Sequence, residues 1–277
     1  MKNYKELEEF KDILDKFERD LFAPEEEKSV VVFILDKSGS MMWMKDKAIE
    51  MFNEQLRVIQ TETKVNTKGC LVTFNDKVDF DIWMEDYKGI PVLTGDKYQP
   101  NGSTALYDAI GHSICLLKEG MNTDDPKLTI LFVIVTDGEE NFSKEFKQEM
   151  ILKLTEDLQL TGRWTFVFTG CSETLLKDAK VMGLRGANVY HYAASAVGYQ
   201  QGTQTLTSGM SNYVNMRNEG AWKVQNHGFY EPITKTPDQP DVVVTVTDAE
   251  ERRKFFDQLS ISPEGKTEDD KWKEKKE

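Results

Sequence analysis

Two runs of apolar residues, Val30–Leu35 and Leu128–Val135, limit the fold of this chain more than any other feature. Both are rich in β-branched residues, and both are far shorter than the roughly 20 residues that a membrane-spanning helix needs. A strand that is apolar on both faces must be covered on both faces, as happens in parallel sheets with helices on each side. The two runs therefore predict central strands of an α/β domain.

Strand and helix patterns alternate between residues 29 and 216. The strands are predicted at Ser29–Leu35, Cys70–Phe74, Val78–Trp83, Leu128–Thr136, Trp164–Thr169 and Asn188–Tyr192. The helices are predicted at Met44–Gln60, Thr104–Lys118, Lys144–Leu158, Ser172–Met182 and Ala194–Met216. Residues 75–77 are typical of the turn of an antiparallel hairpin. The alternation predicts an α/β fold with a doubly wound, mostly parallel central sheet, one antiparallel edge strand and flanking helices.

The two ends of the chain differ from this central domain. Residues 1–28 carry one apolar stripe at helical spacing, which predicts an amphipathic helix that packs on the domain or forms a short coiled coil with a partner. Residues 217–262 form an extension with a candidate strand, Asp241–Thr247, and a candidate helix, Ala249–Leu259. Residues 263–277 are charged and nearly free of apolar side chains, so we expect a disordered tail.

The charge balance argues against one large class of partners. The chain has 35 Lys and Arg residues against 48 Asp and Glu residues, and its formal net charge is -13. A surface of like charge repels phosphates, so we expect no binding to nucleic acid. The N-terminus lacks the apolar segment of a secretion signal, and the three cysteines form no C-x-x-C pair. We therefore expect free thiols in a cytoplasmic protein that does not enter a membrane.

Oxygen-bearing side chains follow both apolar strands directly. Asp36, Ser38 and Ser40 come after the first strand, Asp137 comes after the second, and Thr104 lies where a loop leads into a helix. Ligands of open α/β sheets collect at the carboxyl ends of the strands, so these side chains are expected at one edge. Hydroxyl and carboxylate oxygens suit Mg2+, and neutral hydroxyls leave positions for water or for an incoming carboxylate. The sequence predicts a metal site there.

The same residues carry a family resemblance. D-x-S-G-S, G-S-T-x-L and T-D-G, in this order within residues 29–215, resemble the metal-ion-dependent adhesion site of von Willebrand factor A domains of intracellular bacterial or phage type. The resemblance implies a Rossmann-like fold and a bound Mg2+, with Mn2+ or Ca2+ as substitutes. It also implies that Ser38, Ser40 and Thr104 coordinate the ion directly and that Asp36 and Asp137 act through water. A protein partner would supply an Asp or Glu to the ion.

Other interpretations of these residues stay open. Ser40 and Thr104 could simply cap helices, because Ser and Thr are common at helix starts. Met41–Met44 could form an apolar rim for a partner or pack beneath the first helix. Glu139 and Glu140 could reach the ion.

Two other functions also stay open. The chain could be a Mg2+-dependent hydrolase such as a phosphatase with Asp36 as nucleophile, although such enzymes usually place a second Asp where Ser38 stands. No G-x-x-x-x-G-K-[ST] loop is present, which disfavours ATP hydrolysis. The chain could also be an assembly protein with a vestigial site that associates through its N-terminal helix. We expect a metal-dependent protein-binding module rather than an enzyme.

Overall fold

The computed structural model describes residues 27–172, 174–220 and 228–230. Within these ranges the strands are β1 (Lys28–Asp36), β2 (Asn66–Phe74), β3 (Val78–Asp86), β4 (Leu128–Val135), β5 (Trp164–Gly170) and β6 (Val189–His191). The α-helices are α1 (Lys45–Glu62), α2 (Leu106–Gly120), α3 (Gln148–Leu160), α4 (Leu175–Val181) and α5 (Ala196–Asn218). Short 3-10 helices occupy Gly39–Met44, Tyr87–Gly89 and Gly186–Asn188.

Several predictions for the chain ends fall outside these ranges. They concern nearly all of the N-terminal helix over residues 1–28, the strand Asp241–Thr247, the helix Ala249–Leu259 and the tail at 263–277. Where the structure does describe the boundary, Lys28 already belongs to β1.

The six strands form one sheet in the order β3-β2-β1-β4-β5-β6. All neighbouring strands are parallel except β2 and β3, which form the predicted antiparallel hairpin and place β3 at the edge. The predicted fold class is therefore confirmed. The chain reverses its direction of winding between β1 and β4, where Leu35 pairs with Val135. Parallel sheets offer a ligand-binding crevice at such a reversal, on the carboxyl side of the strands.

The apolar runs fill the centre of the sheet. Every residue of β4 is buried, and so is every residue of β1 after Lys28. Alternate β1 residues Val31, Phe33 and Leu35 belong to a core cluster with side chains of α1 and α5. The intervening residues face the opposite side, because side chains alternate along a strand, and α2 packs on that side. Burial on both faces explains why neither strand shows an alternating polar pattern.

The last helix, α5, runs unbroken despite three glycines in its sequence. A Cβ at Gly202 would lie 2.5 Å from the Tyr192 ring, and a Cβ at Gly209 would lie 2.3 Å from the Phe229 ring. The glycines therefore let aromatic rings lie directly against the helix backbone, which offsets their poor helix propensity. Phe229 belongs to a short segment beyond α5, and its N–H donates to the Asn188 side chain at 2.8 Å.

Two further properties of the described residues bear on the sequence predictions. None of their helices is long and apolar enough to cross a membrane. Cys70 and Cys115 are buried, Cys171 is half-buried, and all three are free thiols, as predicted.

We predict that Gly209→Ala destabilises the protein, although alanine is the better helix former by about 1 kcal/mol. The added Cβ would overlap the Phe229 ring, so the ring or the helix must move. Urea denaturation should show a loss of about 1–3 kcal/mol in the free energy of unfolding. The loss should shrink in a Phe229→Ala background, where the ring is absent. Equal losses in the two backgrounds would contradict the contact.

Candidate metal site

Asp36 ends β1 at the winding reversal of the sheet, and its carboxylate is buried. One carboxylate oxygen accepts the N–H of Ser38 at 2.7 Å, and the other accepts the hydroxyl of Thr136 at 2.6 Å. The Tyr98 hydroxyl donates to the Asp36 carbonyl, so the backbone here is fixed as well. These bonds hold the Asp36 carboxylate in one orientation at the carboxyl end of the sheet.

Ser38, Ser40 and Asp137 form a hydrogen-bonded chain beside it. The Ser38 and Ser40 hydroxyl oxygens lie 3.0 Å apart, and the Ser40 hydroxyl donates to Asp137 Oδ1 at 2.7 Å. The strand pairing of β1 with β4 explains the contact, because Asp137 follows β4 just as Ser38 follows β1. The second predicted carboxylate thus contacts Ser40, which in turn contacts Ser38.

Gly138 shows where the remaining side chain lies. A Cβ built on Gly138 would be 3.4 Å from the Ser40 hydroxyl oxygen, 3.4 Å from the Thr104 hydroxyl oxygen and 3.8 Å from Asp36 Oδ2. Oxygens from two segments, the end of β1 with the loop after it and the loop before α2, therefore meet the loop of Gly138 around one small space that a larger residue at 138 would fill. Together with the contacts of Ser38 and Asp137, the structure brings all five predicted site residues together.

The hydroxyls of Ser40 and Thr104 are not used to cap helices. Ser40 lies inside the 3-10 helix Gly39–Met44, whose cap residue makes no side-chain hydrogen bond. Thr104 lies two residues before α2, which begins at Leu106 and not at Thr104 as predicted; its cap is Ala105. The helix-capping interpretation is therefore wrong at both positions. Both hydroxyls face the space beside Gly138 instead.

The donor atoms at this space fit a hard divalent cation. Hydroxyl and carboxylate oxygens are the ligands that Mg2+ prefers, and Gly138 leaves room among them. The described residues contain no cluster of three or more His, Cys, Asp or Glu side chains that could hold a metal. A site of the His and Cys type, as zinc prefers, is thus not found in that part of the chain.

Burial of Asp36 has an electrostatic cost. Desolvation raises the pKa of the Asp36 carboxyl from 3.8 to about 6, and the nearby charge of Asp137 adds to the rise. Hydrogen bonds from Thr136 and Ser38 act in the opposite direction but do not cancel the effect of burial. A cation stabilises two neighbouring carboxylates in their ionised forms, so the ionised site favours binding of a cation.

A second set of hydrogen bonds fixes the loop that carries Thr104. Asn141 Oδ1 accepts the Thr104 N–H at 3.0 Å, while the Thr104 carbonyl accepts the N–H groups of Asn141 and Phe142 at 3.0 and 3.1 Å. The Glu140 carboxylate accepts the N–H groups of Tyr107 at 2.9 Å and of Ser143 at 2.7 Å. Glu140 therefore ties the Asp137 loop to the start of α2.

The sequence did not indicate this role for Glu140 and Asn141. A side chain that caps its own helix is recognisable by spacing, whereas Glu140 lies 33 positions from Tyr107, the residue whose N–H it accepts. The prediction that Glu140 could reach the ion finds no support, because both of its carboxylate oxygens are engaged by backbone N–H groups or by the Ser143 hydroxyl.

The loop after β1 is held from the side of the β2–β3 hairpin. Gly39 donates its N–H to the Gly102 carbonyl at 2.9 Å, and Gly102 has a φ of 78°, a conformation that favours glycine. Asp76, in the hairpin turn, accepts the N–H of Ser103. The hairpin turn thus supports the loop that carries Thr104, and this loop in turn is bonded to the loop that carries Ser38 and Ser40.

Within Met41–Met44, two residues pack into the core and two form exposed apolar surface, so each of the two interpretations holds for half of the segment. Met41 and Met44 are buried in the core, whereas Met42 and Trp43 are each 57% exposed. The Trp43 indole N–H donates to Asp137 Oδ2 at 3.2 Å, which places the ring at the site. One half of this segment therefore anchors the loop, and the other half exposes apolar surface beside Asp137.

No protein-family model and no curated protein matches the sequence. Among solved structures, proximal thread matrix protein 1 from the mussel byssus is 18% identical with a TM-score of 0.48, covering 70% of this chain and 46% of its own. The manganese-loaded TRAP protein of Plasmodium vivax is 15% identical with a TM-score of 0.47. The match covers 64% of this chain and 71% of the TRAP chain. This chain thus spans less than half of the thread protein. Identities and TM-scores this low do not assign the chain to a family, and the α/β fold is defined by the order and direction of its strands.

We predict that, in EDTA, Asp36→Asn is more favourable for the free energy of unfolding, relative to the wild type, at neutral pH than at acid pH. A carboxyl whose pKa is raised in the folded state keeps its proton more tightly there, so its contribution is present below about pH 4 and is lost as pH rises through about 6. The stability difference between variant and wild type should grow by on the order of 2 kcal/mol over this window. Urea midpoints at pH 4 and pH 7 measure it, and a constant difference would contradict the buried charge.

Proposed function

We propose that residues 29–216 form a von Willebrand factor A-type domain that binds one Mg2+ and through it captures a carboxylate of a protein partner. The observation that carries the proposal is the space beside Gly138, where the oxygens of Asp36 and Ser40, at and after the end of β1, meet the hydroxyl of Thr104 from the loop before α2. In this proposal Ser38, Ser40 and Thr104 hold the ion directly, and Asp36 and Asp137 hold it through water.

The chemistry of these side chains suits capture of a carboxylate. Three neutral hydroxyls leave much of the charge of a divalent ion unquenched, and the bound ion would supply electrostatic attraction for an Asp or Glu. The negative charges of the two aspartates attract a cation to the site, although in this proposal they do not contact the ion directly. Mn2+ and Ca2+ are oxygen-seeking ions of the same charge and would serve as substitutes.

The geometry of Asp36 favours binding over hydrolysis. A carboxylate nucleophile must reach its substrate, but Asp36 is 0% exposed and both its oxygens already accept hydrogen bonds. Lys37, the adjacent cation, is paired with Asp79 at 2.5 Å, so its charge is directed toward the hairpin. We therefore propose that the chain is not an enzyme.

The net charge of -13 makes the cation the natural point of contact for an acidic partner. Elsewhere an acidic segment would meet like charge, whereas at the site it would meet Mg2+. Met42 and Trp43 add exposed apolar surface at the same place, which suits a partner with an apolar side chain beside its acid. A cytoplasmic location in a bacterial or phage system is part of the proposal, and the three free thiols support a reducing compartment.

We predict that Mg2+ stabilises the wild-type protein and that Gly138→Ala removes the effect. At a Mg2+ concentration of a hundred times Kd, binding should add about 2.7 kcal/mol to the free energy of unfolding. The alanine methyl would sit 3.4 Å from two of the site hydroxyls, an ordinary contact that preserves the fold but fills the space for the ion. Melting temperatures with Mg2+ and with EDTA measure both effects.

Gly186→Ala is the matched control, because a Cβ there would meet nothing within 4 Å. It should keep the Mg2+ effect of the wild type. A Gly138→Ala protein that is stabilised by Mg2+ as strongly as the control would rule out the space beside Gly138 as the ion site.

We predict that partner binding needs both an acidic residue and the metal. In a screen of peptides that contain Asp or Glu, the selected binders should lose at least tenfold in affinity, about 1.4 kcal/mol, when that acid becomes Asn or Gln or when EDTA replaces Mg2+. Thr104→Ala should have the same effect, whereas Ser103→Ala, one residue away, should not. An unchanged peptide affinity in EDTA would contradict the proposed mechanism.

A further inference from the structure

One oxygen of the Asp137 carboxylate is engaged by a side chain outside the five residues of the motif. Ser40 donates to Oδ1 at 2.7 Å, and the Trp43 indole N–H donates to Oδ2 at 3.2 Å. With a donor on each oxygen, the carboxylate plane is fixed rather than free to rotate. Hydrogen bonds to an ionised acceptor are stronger than those between neutral groups, so this contact matters even at a partly exposed position.

The indole is itself held in place from below. Its ring packs edge-on against the Tyr199 ring with a centroid distance of 5.5 Å and an interplanar angle of 78°. Tyr199 is 1% exposed, and its hydroxyl contacts Cys171 and Met44. Tyr199 also packs edge-on against Tyr192 at 4.8 Å. A half-exposed indole thus rests on a rigid, buried aromatic base, which fixes the direction of its N–H.

We propose that Trp43 is a positioning residue that orients Asp137 for the metal, a role that rests on the proposed function. Side chains that hold a ligand by hydrogen bonds fix its geometry and raise affinity, because less freedom is lost on binding. Without the indole N–H, Asp137 Oδ2 loses this donor and the carboxylate can turn about its bond to Cβ. The exposed face of Trp43 alone, as apolar surface for a partner, would not require the N–H to point at Asp137.

The hydrogen bond can be tested without any metal. The five tryptophans give indole N–H signals in a 1H–15N spectrum of 15N-Trp protein, and Trp43→Phe identifies the signal of Trp43. In EDTA, Asp137→Ala should move this signal upfield, as expected for a lost hydrogen bond to a carboxylate. Glu139→Ala, an exposed acid two residues away, is the control and should leave it unchanged. A Trp43 signal that is the same in wild type and Asp137→Ala would overturn the inference.

The positioning role is tested by metal affinity. Trp43→Phe keeps an aromatic ring on Tyr199 but lacks the N–H, so it should weaken Mn2+ binding, measured by electron paramagnetic resonance, by about fivefold. Trp83→Phe, on β3, should bind Mn2+ as the wild type does. Melting temperatures in EDTA should agree between wild type and Trp43→Phe, which separates positioning from a role in stability.

Two results would contradict the inference in distinguishable ways. If the wild type binds Mn2+ and Trp43→Phe binds it equally well, the positioning role is wrong and the proposed function stands. If the wild type does not bind Mn2+, the proposed function fails and the positioning role fails with it, while the spectrum in EDTA still decides whether the hydrogen bond exists.

Discussion

The hydrogen bond from the Thr136 hydroxyl to the Asp36 carboxylate joins the ends of the two central strands. It can form only because β1 and β4 pair in parallel register up to Leu35 and Val135. The Thr136 hydroxyl also accepts the Gly138 N–H at 3.1 Å, so the same residue shapes the turn that leaves the small space at the site. Ser38, Ser40 and Asp137 follow this junction within four residues along the chain, whereas Thr104 is held against them by Asn141.

The three loops are tied to one another through groups of the protein itself. Asn141 and Glu140 join the Asp137 loop to the Thr104 loop, and Gly102 joins the Thr104 loop to the Ser38 loop. Such bonding fixes the oxygens before any ligand arrives, so binding would cost little reorganisation. The cost that remains is the buried charge of Asp36, whose raised pKa reports how much the apolar surroundings disfavour the ionised form.

The sequence predicted the parts of this arrangement that depend on chain direction and burial. Two apolar strands followed by Asp36 and Asp137 were enough to place those carboxylates at one edge of a parallel sheet. It did not predict that Asn141 would bond to Thr104 or Glu140 to Tyr107, because these contacts join distant segments and leave no spacing pattern. It also left helix capping open at Ser40 and Thr104, where the loop geometry turns the hydroxyls away from the helix starts. It could not tell which of Met41–Met44 are buried, since burial there depends on the direction of the 3-10 helix.

The separation of 100 positions between Asp36 and Thr136 has a consequence for synthesis of the chain. Asp36, Ser38 and Ser40 leave the ribosome long before β4 exists, and loop closure over such a distance is entropically costly until the strands pair. The first serine loop alone lacks both Asp137 and the turn at Gly138, so the growing chain has no complete oxygen cluster until β4 has joined β1. Affinity for a cation would then arise only in chains whose central sheet has assembled. Cation binding would therefore distinguish fully folded chains from incomplete ones.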